Sequence, residues 1–110
     1  FLQSFISEHS EEQAFPDDIG MILESACFDC HATGAKSEKA LKAVNFSDWE
    51  EYRLTKKIGL LGDVCKMVEE GKMPPEKYLE HKPDRKMSEV QTKLLCEWTK
   101  KEAEKLMQGE

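Results

Sequence analysis

The chain lacks any apolar run of about 18 residues, the length a helix needs to cross a bilayer, so no membrane span is written into it. It also lacks strand-like alternation of apolar and polar residues, internal repeats and low-complexity tracts. A secretory signal is not visible either. The opening Phe1-Leu2-Gln3-Ser4 does not read as a native start. The expectation is that a signal, an anchor or a neighbouring domain precedes it. Positive charge is in the minority: 16 Lys and Arg stand against 22 Asp and Glu, for a net charge of −6. That balance argues against a nucleic-acid surface and for solvated acidic faces.

What is present fits one small all-α domain of three to five helices with long loops. With 110 residues, 39% hydrophobic and 35% charged, the chain can bury one modest core. Residues 1–16 read as an extended lead-in, with Phe1, Leu2, Phe5, Ile6 and Phe15 as its apolar points. The domain proper is expected over 17–108. Pro16 before Asp17 and Asp18 marks a helix start, and Ile19, Ile22, Leu23 and Ala26 form an apolar stripe running to about Cys30. A short helical turn is expected from Ser37 to Ala43. Ser47-Asp48-Trp49-Glu50 reads as a capping box opening a helical stretch to Glu70, with Gly59 and Gly62 as places where it could break. Gly71 is a plausible stop. Residues 72–87, with Pro74, Pro75 and Pro83, are expected to be irregular. Ser88-Glu89-Val90-Gln91 is a second capping box, and the last helix runs to about Met107 with Val90, Leu94, Leu95, Trp98 and Leu106 inward.

The chemistry concentrates in Cys27-Phe28-Asp29-Cys30-His31. A redox dithiol would sit at a helix N-terminus within a βαβ pattern; here the motif ends a helix and strands are absent. Structural zinc needs four ligands, but Cys65 and Cys96 are too far apart in sequence to make a second knuckle. Covalent haem explains every part: two thiols add to the porphyrin vinyl groups, and the adjacent histidine reaches the iron. A second axial ligand is expected from Met73, in a Gly-x-Met-Pro-Pro loop, because Pro74 restricts the residue before it to extended backbone. The alternative is that Met73 fills a core gap. Met87, in a loop before a cap, is the rival. Met21 lies too near the motif, Met67 falls within a helix, and Met107 sits at the chain's end. His9 and His81, either of which would give a bis-histidine iron, sit among polar neighbours and read as surface residues. Trp49, Tyr52 and Arg53 are candidates to hydrogen-bond a haem propionate, with ordinary core packing as the competing reading. The run Lys36 to Lys42 reads as a solvated face, or as a docking patch for an acidic protein.

Read in order, the motif Cys27 to His31, Asn45-Phe46-Ser47-Asp48-Trp49, Glu70-Gly71-Lys72-Met73-Pro74-Pro75, Lys86-Met87-Ser88-Glu89 and Leu94-Leu95-Cys96-Glu97-Trp98 resemble the bacterial haem-binding-domain family, a class I cytochrome-c-like group. The family pattern has a longer aromatic-rich segment where this chain has a short lysine-rich one, Ala32 to Val44. The resemblance implies a cytochrome-c-like fold around one haem c, with His31 and Met73 on the iron. It also implies export to the periplasm or beyond, and electron transfer with redox partner proteins. Two protein ligands would leave no open position for substrate chemistry, so an enzyme is not expected, and a monomer is. The alternative is a haem-based sensor or peroxidase-like domain in which the methionine dissociates. Cys65 and Cys96 either stay as buried thiols or join two helices, and an exported protein favours the bridge. The first helix is expected to cross the last.

Overall fold

In the computed structural model, residues 14–109 are described. Helices make up all the regular structure in this span, with no strand among the described residues; they hold six α-helices rather than the expected three to five, because the break at Cys27 and the proline-led segment after Met73 each add a short one. The extended lead-in expected over 1–16 falls almost wholly outside the described residues, as does His9; Phe15 is within them and packs its ring near Phe46, Trp49 and Trp98.

Helix α1 spans Asp17–Ala26, with Asp17 and Asp18 in its first turn where carboxylates meet the positive end of the helix dipole. Its buried side chains are Ile19, Ile22, Leu23 and Ala26, the stripe the spacing predicts. The helix does not run to Cys30. The backbone leaves helical geometry at Cys27 (φ −124°, ψ −34°), and a single turn, α2 (Phe28–His31), follows. Helix α3 (Glu38–Ala43) is capped by Ser37, whose hydroxyl accepts from the Ala40 N–H.

The expected capping box at Ser47 is not formed. Phe46–Glu51 is a 3-10 turn capped two residues earlier by Asn45, whose side chain accepts from the Ser47 N–H. The Ser47 hydroxyl instead accepts from the Thr33 N–H at 3.0 Å. The long helix starts only after Tyr52 and Arg53: α4 spans Leu54–Glu69 without a break at Gly59 or Gly62. It ends as Gly71 predicts. Gly71 adopts φ +75°, a left-handed value open to glycine. Its N–H reaches the Val68 carbonyl while that of Lys72 reaches Met67, the two bonds of a Schellman cap.

Residues 76–87 are more regular than their prolines suggest. Pro75 precedes a short helix, α5 (Glu76–His81), because a proline at a helix start sacrifices no hydrogen bond; Pro83–Arg85 adds a 3-10 turn. The last helix, α6 (Glu89–Met107), opens on a full capping box between Ser88 and Gln91. Its inner face differs from the expectation. Leu95 is fully buried and Trp98 packs against the core, but Val90 is 76% exposed; Thr99 is buried in its place. The Thr99 hydroxyl is accommodated by donating to the Cys96 carbonyl at 2.9 Å.

The core gathers Ile19, Ile22 and Leu23 of α1, Val44, Phe46 and Trp49 of the central loop, Leu61 of α4 and Leu95 of α6. Helices α4 and α6 pack together most extensively, and α1 also touches α6. The α4–α6 pair is joined by a disulfide between Cys65 and Cys96, whose Cα atoms are 5.0 Å apart. This settles the choice between bridge and buried thiols, and it removes both sulfurs from any zinc site. Among the described residues no helix is long and apolar enough to cross a membrane.

Candidate functional site

The turn from α1 into α2 presents the cysteine motif. The Cys27 carbonyl accepts from the N–H groups of both Cys30 (3.2 Å) and His31 (2.9 Å), so one turn of chain gathers both thiols and the imidazole. Both cysteines are free thiols of intermediate burial. Burial, with the neighbouring Cys30 adding to it, pushes the Cys27 thiol up to about 12.

His31 is held by backbone. Its Nδ1 lies 2.9 Å from the Ala40 carbonyl and 3.0 Å from that of Val44. Carbonyls only accept, so Nδ1 carries the proton, and in the neutral ring the lone pair sits on Nε2. A histidine that ligates a metal generally donates its other N–H in this way. The edge-to-face contact with Phe46, 6.3 Å between centroids, fixes the ring further. The short lysine-rich segment thus closes one wall: α3 and the residue after it supply the carbonyls that orient His31, while Lys36, Lys39 and Lys42 stay exposed.

A cleft of about 390 Å³ opens beside this turn. Cys27 lies at one edge. Val44 and Phe46 form one wall, and Leu60, Val64 and Val68 of α4 form another. Met67 and Met73 contribute two thioethers, and Lys66 and Lys72 add charge to the lining. Met73 leaves the Schellman cap of α4, with its N–H bonded to the Met67 carbonyl at 3.2 Å. Pro74 after it is buried. Cleft volumes of roughly 300–1,000 Å³ with mostly apolar linings are usual for bound cofactors.

The other candidates lie elsewhere. Met87 packs against the core and lines a separate groove with Cys65 and Cys96, between α4 and α6. Trp49 is buried among Phe15, Phe46 and Tyr52, and the Tyr52 hydroxyl accepts from the Asn45 N–H at 2.9 Å. Arg53 is exposed at the start of α4. None of these three lines the cleft. His81 is exposed, with Nδ1 against the Lys77 carbonyl.

Sequence reasoning set Met67 aside because it falls within a helix, yet a signal was there. Leu60, Val64, Met67 and Val68 recur at spacings of four, three and one, an apolar face of α4 distinct from the one carrying Leu61 and Cys65. Asp29, between the two cysteines, carries no role that spacing alone reveals. In the folded chain it accepts from the Tyr78 hydroxyl at 2.7 Å and from Lys82 Nζ at 3.2 Å. These hydrogen bonds hold its carboxyl below the usual range. Tyr78 moves up to about 12, first through burial and then through its bond to Asp29.

The model of the haem-binding domain family matches residues 35–101, more than half of the chain. The chain belongs to the haem-binding domain family. The matched segment contains the whole α4 wall, the Met73 loop and most of α6; the Cys27–His31 turn lies just upstream of it. No curated protein and no solved structure matches the chain. The cleft and the turn beside it fit a haem: the lining brings Cys27, apolar walls and two thioether sulfurs, and the adjoining turn, outside the lining, adds the Cys30 thiol and the His31 imidazole whose Nδ1 proton is already engaged. Thioethers are soft donors that suit haem iron.

Proposed function

We propose that this haem-binding domain carries one haem c, joined through Cys27 and Cys30 and ligated by His31 and Met73, and serves as a one-electron carrier, alone or as a module of a larger redox protein. The observation that carries the reading is the shared cleft: Cys27 and Met73, 46 residues apart in sequence, line one cavity, next to a histidine whose Nδ1 is tied to two carbonyls. Bound there, haem supplies a ferric–ferrous couple. The chain's own part is to keep water from the apolar cleft and to hold the imidazole in one tautomer. Its Met73 loop arrives already ordered by the cap of α4 and by Pro74. A cytochrome-c-like arrangement is the fold reading that goes with this. The Cys65–Cys96 bridge supports export, since disulfides persist in oxidising compartments. The periplasm is the compartment we favour, with redox proteins as partners.

The test is spectroscopic and chemical. Haem should stay with the polypeptide on a denaturing gel. Met73→Ala should keep that attachment but open the iron, so that the reduced protein binds carbon monoxide and the potential falls with loss of the soft donor. Met87→Ala should do neither. Met67→Ala separates the two thioethers of the cleft: if it opens the iron and Met73→Ala does not, the ligand is Met67. Ready carbon monoxide binding by the unaltered reduced protein would favour the sensor or peroxidase-like alternative instead.

A further inference from the structure

Helix α5 begins three residues after Met73, yet it has little apolar reason to stay where it is. Its six residues include none that is buried, and none belongs to the hydrophobic core or packs against it. What ties it down is polar, and the ties lead to the cysteine turn and to the end of α1 just before it. The Tyr78 hydroxyl donates to Asp29 Oδ2 at 2.7 Å, and Lys82 Nζ reaches the same oxygen at 3.2 Å. Just beyond, Arg85 Nη1 donates to the Ser25 carbonyl at 2.9 Å. Asp29 lies between Cys27 and Cys30, so one carboxylate joins the attachment turn to the far end of the methionine loop.

We propose that Asp29, Tyr78 and Lys82 form a clamp that holds the Met73 loop closed against the cysteine turn, with Asp29 a positioning residue for the methionine ligand. The loop has two tethers. On one side the N–H groups of Lys72 and Met73 bond to the Met67 carbonyl, and that tether belongs to α4. On the other side Pro74 and Pro75 lead rigidly into α5, so α5 transmits its own position to Met73. Proline limits the slack between them. If α5 lifts away, the sulfur of Met73 is held from one side only. The pair Tyr78–Asp29 suits this task because a hydroxyl bonded to a carboxylate is directional and stronger than a neutral bond. Lys82 adds an exposed ion pair of smaller weight. This inference rests on the haem c reading for its ligand, but not for the clamp itself.

The experiment therefore has two readouts, on the full haem-loaded chain. Asp29→Asn and Tyr78→Phe each weaken the clamp; Lys57→Ala removes an ion pair to Glu50 that involves neither the cysteine turn nor α5, and serves as control. The first readout is hydrogen exchange at the Leu79 and Lys82 amides of α5. Both clamp variants should exchange roughly three- to tenfold faster there, and the control should not. The second is carbon monoxide binding by the reduced protein, with the denaturing gel showing that haem remains attached. Binding should speed up in the clamp variants, short of the Met73→Ala value. Unchanged exchange in both clamp variants refutes the clamp whatever the iron ligand is. Faster exchange with unchanged carbon monoxide binding, while Met73→Ala binds readily, refutes the link between clamp and ligand. If Met73→Ala itself binds no better than the parent, the ligand reading fails and Asp29's positioning role goes with it.

Discussion

The two cysteine pairs belong to two differently built halves of the molecule. Cys65 and Cys96 lie on the long helices α4 and α6, which pack along their lengths and are covalently joined. Cys27 and Cys30 lie at a helix break and remain free thiols, and Cys27 lines a cleft that one face of α4 shares with short, irregular pieces of chain: the end of α3, Val44 and Phe46 after it, and the Met73 loop. The first half is held by apolar contacts and a covalent staple, with an open groove running beside the disulfide. The second depends on single hydrogen bonds, such as Tyr78 to Asp29 and His31 to two carbonyls, and encloses space that side chains do not fill. A small domain with a limited core gains much from an apolar object placed in such a space. The scaffold half is therefore expected to fold on side-chain chemistry alone, and the cleft half to need its cofactor.

The largest expected effect tests that asymmetry directly. Cys27→Ala/Cys30→Ala should abolish covalent haem on a denaturing gel and cost the protein its cooperative thermal unfolding, followed by circular dichroism. A fully helical, cooperative form of this variant would mean that the cleft half is self-sufficient. Cys65→Ser/Cys96→Ser should behave in the opposite way. Attachment and the haem spectrum should persist, while stability falls by about 2–4 kcal/mol, measured from denaturant midpoints. If the spectrum were lost as well, the two halves would be less separate than their packing indicates.

Smaller effects sharpen the comparison. Ser88→Ala removes one arm of the capping box that opens α6. About 1 kcal/mol of stability should go, with no change in the haem spectrum, because α6 belongs to the scaffold half. The smallest effect should come from alkali. Tyr78 stands at about 12 in the folded chain against an ordinary 10.0, chiefly through burial. Between these values the folded state holds a proton that the unfolded chain has released, so stability should decline as pH rises from about 10 to about 12. It is fully present below that window. Tyr78→Phe should flatten this part of the pH profile, and an identical slope in the variant would show that Tyr78 does not contribute it.

Local signals in the sequence were reliable where the structure is decided by neighbours along the chain. The α1 stripe, the Gly71 stop and the Ser88–Gln91 box all depend on contacts within a few residues. They failed where two local solutions compete. Ser47 is as good a cap on paper as Ser88, but Asn45 caps first, and Thr33 claims the serine hydroxyl. Val90 fits the apolar face of α6 by spacing, yet in the first turn of the helix it stays exposed. The cleft was half legible. Cys27, Cys30 and His31 announce themselves by spacing, and Met73 by its prolines, but Met67 needed the second face of α4 to be noticed.

By itself the sequence determined the helical class, the start of α1, the stop of α4, both ends of α6, and the chemistry gathered at residues 27–31, because each follows from interactions over one or two helical turns. Only the tertiary structure decided that Cys65 meets Cys96, that Met67 and Met73 share a cleft with Cys27 while Met87 does not, and that Asp29 bonds to Tyr78. Those pairings join residues 31 to 49 positions apart. Nothing local in the chain encodes a separation of that kind; it is set by how α4 lies across α6 and how the loop after it folds back onto the cysteine turn.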